Sequence, residues 1–159
     1  MTARFTFRPV TGGGGPALCE VHRTSILVLG RAFYSQKEVE SWAHGLSPNT
    51  DAMATEGHLA EVALDEKGEV VVFCSVRGDE VKALYVHPAA AGKGLGRALM
   101  ERAEAVISGA GHEHARVEAS QSGLGFYQRL GYVVQEAGDF PSRGGVMLKA
   151  FILTKPLVL

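Results

Sequence analysis

Between His58 and Val86 three β-rich runs follow one another with only turns between them. "HLAEVAL" and "EVVVFCSV" are separated by "DEKG", a turn signal, and read as an antiparallel hairpin. Arg77-Gly78-Asp79 turns the chain again into a strand from Glu80 to Val86, which Pro88 stops. Strands joined by so few residues pair antiparallel, because a parallel neighbour needs a crossover of about a dozen residues or more. The meander then runs through "HPAAAGKGLG" into an amphipathic helix, "RALMERAEAVISGAG" (Arg97 to Gly111). Leu99, Ala103, Val106 and Ile107 share one face of it, and Gly109 to Gly111 ends it.

The flanks complete a mixed pattern. Ala3 to Val10 alternates as a strand with Phe5 and Phe7 on one face. "TGGGGP" (Thr11 to Pro16) lacks the ordered spacing of a phosphate loop and reads as a flexible loop. Ala17 to Tyr34 has apolar residues at helical spacing, with Gly30 marking a bend or an end. Ser35 with Glu38 is a capping box for a second helix ending near Gly45, and "SPNTDAMATEG" is a loop. After the amphipathic helix come a strand ("HARVEAS"), a short helix ("SGLGFYQRLGY", ending at Gly131), a strand ("VVQEA") and a last strand ("GGVMLKAFILTKPL"). The order β, α, α, β, β, β, α, β, α, β, β places the chain in the α/β (α+β) class, as one domain over residues 1–159 with a mixed sheet and helices on its faces.

Composition narrows the function classes. Lys and Arg total 16 against 17 Asp and Glu, so the chain lacks the basic excess of a nucleic-acid binder. No run approaches the ~20 apolar residues of a membrane span, and "MTARFTFRPV" lacks the apolar core of a signal peptide. The expectation is a cytoplasmic protein with no membrane partner. Cys19 and Cys74 have neither disulfide-framework nor zinc spacing and read as small buried thiols. His112 and His114 lack a partner at metal spacing, and no metal is expected.

Gly92, Gly94 and Gly96 stand where a strand gives way to a helix. Helix N-terminal N–H groups have no intrahelical partner, and the helix dipole favours an anion there. Removing side chains at these positions lets a diphosphate approach the backbone. The dinucleotide fingerprint, G-x-G-x-x-G, does not fit the spacing here, and Lys93 is not followed by Ser or Thr as the Walker loop requires.

"LYVHPAAAGKGLGRALM", followed about thirty residues on by "GFYQRLGY", resembles the GNAT superfamily of acetyl-CoA-dependent N-acetyltransferases. The family loop, Arg/Gln-x-x-Gly-x-Gly/Ala, falls on Ala91 to Gly96, and its later Phe-Tyr-x-x-x-Gly-Phe/Tyr falls on Phe126, Tyr127, Gly131 and Tyr132. Ala91 departs from the family's Arg or Gln, and Ser120 and Ser122 lie near where the family places a CoA-binding asparagine. The specific likeness covers Glu80 to Val133 and extends more loosely to the whole chain.

The resemblance implies a mostly antiparallel central sheet with helices on both faces, and acetyl transfer from acetyl-CoA to a primary amine of a small molecule or peptide N-terminus by direct attack. It implies that Leu84, Tyr85 and Val86 hold the pantetheine arm, and that Gly92, Lys93, Gly94, Leu95, Gly96 and Arg97 take the pyrophosphate, with Ser120 nearby. It makes Tyr127 the acid for the leaving thiolate. Glu80 is the candidate base by position, beside a reading as a solvated turn carboxylate; His87 is a second candidate with a structural reading. Tyr34 and Trp42 are candidates for holding the acceptor, with helix packing the better reading for Trp42. A non-catalytic acetyl-CoA-binding regulatory module is the alternative function. The apolar last strand, "KAFILTKPLVL", is able to supply a homodimer interface.

Overall fold

One inner strand of the sheet is apolar on both faces, and core packs on each side of it. The computed structural model describes residues 4–10, 15–47 and 59–157. The strands are β1 (Thr6–Pro9), β2 (Leu59–Leu64), β3 (Val70–Arg77), β4 (Glu80–Val86), β5 (His114–Ser120), β6 (Val133–Pro141) and β7 (Met147–Pro156). The helices are α1 (Gly15–Thr24), α2 (Gln36–Ala43), α3 (Leu95–Gly109) and α4 (Gln121–Arg129). They form one sheet in the order β1-β2-β3-β4-β5-β7-β6, antiparallel except where β4 meets β5. That exception follows from α3, the crossover between those two strands.

β3 reads "VVVFCSVR" and carries core on each side. Val72, Cys74 and Val76 pack with Leu99, Met100, Ala103 and Ile107 of α3. Phe73 packs on the other face with Leu18 and Val21 of α1. Val106 departs from the expected helix face: it is 38% exposed, because the buried stripe of α3 follows Leu99, Ala103 and Ile107 instead. Burial of these side chains contributes roughly 1.5–3 kcal/mol each before chain entropy is counted.

The expected first helix is broken. α1 ends at Thr24, a π-helical turn covers Ser25–Leu29, and a 3-10 turn covers Gly30–Ala32. Gly30 is a packing position: a Cβ there would lie 3.1 Å from Val39. The capping box of α2 forms as written, with Glu38 N–H donating to Ser35 Oγ at 3.1 Å and Ser35 N–H donating to Glu38 Oε1 at 2.9 Å. Such a cap stabilises by about 1 kcal/mol. The "DEKG" turn is closed by Asp65 Oδ1, which accepts from the N–H groups of Lys67 and Glu69, both at 2.9 Å. β6 runs on to Pro141, beyond the expected "VVQEA", because "GDFP" pairs with β7 despite its turn-like composition. The "SPNTDAMATEG" loop beyond Ser47, and the glycine run before Gly15, lie outside the described residues.

β7 lies inside the sheet, between β5 and β6. It pairs with β6 from Met147 and with β5 from Ala150, its Leu148 and Leu153 are buried, and its Met147 is exposed. No helix of the described residues is long and apolar enough to cross a membrane.

Candidate active site

β4 and β5 pair only at Glu80–Arg116 and Val81–Val117. Against β3, the partners of Ser75 and Val76 are Ala83 and Val81, so Lys82 is skipped and forms a bulge. A bulge bends its strand and ends pairing. From Lys82 onward β4 therefore parts from β5, and the gap opens a cleft of about 540 Å³.

The uncapped N-terminus of α3 forms one end of that cleft. Gly94 is its N-cap, with φ 78° and no side-chain cap bond. The first intrahelical acceptor there is the Gly94 carbonyl, which takes the Ala98 N–H at 3.1 Å; the N–H groups ahead of it are oriented out of the helix end. Gly92 (φ 77°) and Gly94 need glycine for their left-handed backbone. Gly96 has a different reason from the expected one: a Cβ there would meet the Phe126 ring at 3.3 Å, so it is small to let α4 approach. The helix also begins at Leu95, earlier than the expected Arg97.

The cleft brings together most of the residues that the motifs point to. Leu84, Tyr85 and Val86 line it from β4. Gly92, Gly94, Leu95, Gly96 and Arg97 line it from the loop and α3, and Ser120 and Tyr127 line it from β5 and α4. Ser120 is also the N-cap of α4, accepting from Gly123 N–H at 3.3 Å. Lys93 does not line the cleft; its Nζ sits 5.9 Å from the Phe5 ring centroid. His87 accepts from Ala89 N–H at 3.1 Å and caps the turn before the loop.

Tyr127 is buried, and its side chain makes no hydrogen bond among the described residues. Burial pushes its hydroxyl pKa upward, with smaller contributions from Cys74 and Tyr85. It therefore keeps its proton across the neutral range. Cys74, behind it, is pushed up to about 12 by burial and then by Glu61. A thiol so placed is a core group, in accord with the sequence reading.

Glu80 does not line the cleft. It sits where β4 and β5 are still paired, with its carboxylate 3.0 Å from Lys82 Nζ and 4.0 Å from Arg116 Nε. The carboxylate that does line the cleft is Glu118, exposed on β5 and without an ion pair or hydrogen bond among the described residues. The alternation of "HARVEAS" carries the signal: Ala115, Val117 and Ala119 face the core, so Arg116, Glu118 and Ser120 face the other way. Arg129 also lines the cleft, unforeseen. A Cβ on Gly125 would lie 3.3 Å from its guanidinium, so that glycine leaves room for Arg129 to fold back along α4.

A second cavity of about 360 Å³ adjoins the cleft, sharing Trp42, Lys82, Tyr85, Glu118, Ala119 and Ser120 with it. Tyr34 lines this cavity but is 5% exposed. Its hydroxyl donates to the Lys149 carbonyl at 2.7 Å and accepts from Gln121 N–H at 2.8 Å, so it ties β7 to the start of α4. Burial raises its pKa above the usual phenol value, the Gln121 bond lowers it less, and Glu38 adds a small increase. Trp42 is half-buried, edge-on to Tyr34 at 5.6 Å, and faces both cavities. Among the described residues no group of three or more His, Cys, Asp or Glu converges as a metal site.

Comparison with known proteins agrees with this architecture. The model of the acetyltransferase (GNAT) domain family matches residues 31–147, and the chain belongs to that family. An uncharacterized N-acetyltransferase of Chlorobaculum tepidum is 37% identical over 84 residues, which are 50% of this chain and 53% of that protein. The matched stretch thus spans about half the length of that curated relative. Among solved structures, a GCN5-related N-acetyltransferase from Rhodopseudomonas palustris aligns over 99% of this chain and 98% of its own, with TM-score 0.91 and 26% identity. The PaiA N-acetyltransferase of Thermoplasma acidophilum, solved in complex with coenzyme A, shares the fold at TM-score 0.73 and 20% identity, over 97% of this chain and 99% of its own.

Proposed function

We propose that this chain transfers an acetyl group from acetyl-CoA to a primary amine. The observation that carries the reading is a single cleft running from the uncapped α3 N-terminus, past the parted edge of β4, to Tyr127. The residues fit the co-substrate. A diphosphate needs backbone N–H donors and no Cβ in the way, and the glycine loop offers both. Arg97 and Arg129 add positive charge at the cleft wall where Ala91 offers none. The pantetheine arm needs free backbone groups, and β4 beyond Lys82 has no β5 partner to occupy them.

Acetyl-CoA supplies an acetyl group activated as a thioester. The chain's part is to hold, orient and move protons. Tyr127 holds a proton at Oη inside the cleft, available to a departing sulfur. Glu118, at the junction of the two cavities, is placed to attract an ammonium and to receive its proton directly or through water. The bulge at Lys82 interrupts the β3–β4 ladder and would leave a backbone N–H there able to serve as an oxyanion donor.

The regulatory-module alternative shares the cleft but does not need Tyr127 or Glu118 in it. Calorimetric titration with acetyl-CoA, with NAD and ATP as controls, tests the binding half of the proposal. Release of free thiol in the presence of an amine panel tests the transfer half. Selective acetyl-CoA binding without thiol release for any amine would favour the regulatory module.

A further inference from the structure

The cavity beside the cleft has an uneven charge pattern. Its walls carry Lys82, Arg143 and Lys149 against one carboxylate, Glu118. Lys82 is already paired with Glu80 at 3.0 Å. Arg143 and Lys149 make no ion pair among the described residues. One guanidinium N–H of Arg143 donates to the Trp42 carbonyl at 2.9 Å, which fixes its fork and leaves its other donors free. Lys149 Nζ lies over the Phe151 ring, 5.6 Å from its centroid, on the face of β7 opposite to Leu148 and Ala150, so its ammonium is turned away from the cavity. Asp139 is the register partner of Lys149 on β6, yet forms no ion pair with it and does not line the cavity. Arg143 therefore brings unpaired positive charge to a cavity whose far side, at the junction with the cleft, holds a lone carboxylate.

Arg143 is also held in place by the turn that carries it. The β6–β7 turn is fastened to α2: Ser41 Oγ lies 2.6 Å from Ser142 Oγ, and Gly144 N–H donates to the Ser41 carbonyl at 2.8 Å. Val146 N–H donates to Ser41 Oγ at 3.2 Å. The cavity's volume of about 360 Å³ suits a compact acceptor.

We propose that the acceptor is a small amino acid-like zwitterion, with its amine at Glu118 and its carboxylate at Arg143. This rests on the acetyl-transfer reading above. The ammonium first gives one proton to solvent by way of Glu118; the neutral amine then attacks the acetyl carbonyl, the C–N bond forms as C–S breaks, the thiolate takes a proton from Tyr127, and the second proton shed by the nitrogen returns to Tyr127 through solvent. The carboxylate is untouched and serves only to hold and orient the molecule, so the product is an N-acetylated amino acid and CoA.

The test uses the whole chain with the twenty standard amino acids, β-alanine and 4-aminobutyrate, each against its own carboxamide, and with one C-terminally amidated pentapeptide. Calorimetry measures acetyl-CoA binding, then binding of each acid and amide with and without saturating CoA. Thiol release measures turnover. At least one acid is expected to exceed its amide about tenfold or more in affinity and kcat/KM, the size of a lost charge-assisted contact. Arg143→Gln is expected to shrink that ratio severalfold, through KM, with acetyl-CoA affinity unchanged, whereas Lys149→Gln, on the other face of β7, is expected to leave the ratio as it is. Acids and amides used equally well, a preference for the pentapeptide, or a ratio that survives Arg143→Gln would overturn the zwitterion assignment. Absence of acetyl-CoA binding would overturn the acetyl-transfer reading, while the acid-against-amide binding comparison would still decide the zwitterion site on its own.

Discussion

Gly96 lies against the Phe126 ring so closely that a Cβ would stand 3.3 Å from it. The glycine loop and the Phe-Tyr pair, far apart in sequence, are therefore one packed unit. A Gly96→Ala substitution must push the ring by a few tenths of an ångström, and Tyr127 is its chain neighbour. The expected cost is about 1 kcal/mol of stability, at the low end for overpacking, together with a loss of turnover. Gly94→Ala differs: nothing stands within 4 Å of its Cβ, but its φ of 78° is strained for alanine. It should cost about 1–2 kcal/mol and act mainly on acetyl-CoA affinity, because it reshapes the start of α3. Denaturant midpoints and calorimetry on the two variants separate these effects.

Tyr127→Phe removes only the hydroxyl. Turnover should fall about a hundredfold, the scale of a lost general acid, with acetyl-CoA affinity changed less than twofold. Because burial holds the phenol pKa above its ordinary value, the alkaline limb of the wild-type profile should not come from Tyr127 below pH ~10. Unchanged turnover in the variant would remove the residue from the acid role.

Tyr34→Phe tests a positioning residue. It leaves the Gln121 N–H and the Lys149 carbonyl without their shared partner. A stability loss of about 1–3 kcal/mol is expected, since both groups are part-buried. The KM for the acceptor should rise while acetyl-CoA affinity holds, because Tyr34 lines only the second cavity. Initial rates at saturating acetyl-CoA, over a range of acceptor, read this out.

Stability should fall in alkali, and the sign follows from burial. Cys74 ordinarily ionises near 9.0 and is held up to about 12 in the fold. Tyr132 is raised as well, first by burial and then by Glu104, whose carboxylate accepts from its hydroxyl at 3.1 Å. Below the ordinary values both states are protonated and nothing is lost. Above them the unfolded chain holds fewer protons than the folded one, so stability drops as pH rises. Cys74 alone contributes up to about 1.4 kcal/mol per pH unit over that window. Urea midpoints at pH 7.5, 9 and 10.5 check the trend.

The strand and helix order was legible because each local signal agreed with its neighbours. The capping box, the "DEKG" turn and the continuous apolar run of β3 all mark what they form. The glycine loop at the start of α3 was legible because glycine is conspicuous where a helix begins. The acceptor side was not, since it depends on how distant elements meet. Glu80 and Glu118 are both strand carboxylates, and only the bulge at Lys82 and the parting of β4 from β5 put one in the cleft and the other in an ion pair. Gly96 shows the same limit: its reason for being small is Phe126, which no local pattern reveals.

Gly144 is where the acceptor cavity is most exposed to a single change. A Cβ there would stand 2.5 Å from Ser41 Oγ, and 2.9 Å and 3.0 Å from the Ser41 Cα and carbonyl oxygen. The backbone atoms cannot swing aside as a side chain would. Gly144→Ala should therefore lift the β6–β7 turn off α2 and break the bonds that Ser41 makes to Ser142, Gly144 and Val146. Arg143, adjacent in the turn, would lose its hold on the Trp42 carbonyl. The cofactor cleft has none of the turn residues in its wall, so acetyl-CoA affinity should stay within about twofold. Acceptor KM should rise about tenfold, the discrimination between acids and amides should narrow, and exchange of the Gly144 and Val146 amides with deuterium should speed up. Unchanged exchange at those amides would mean that the turn absorbs the methyl without leaving α2.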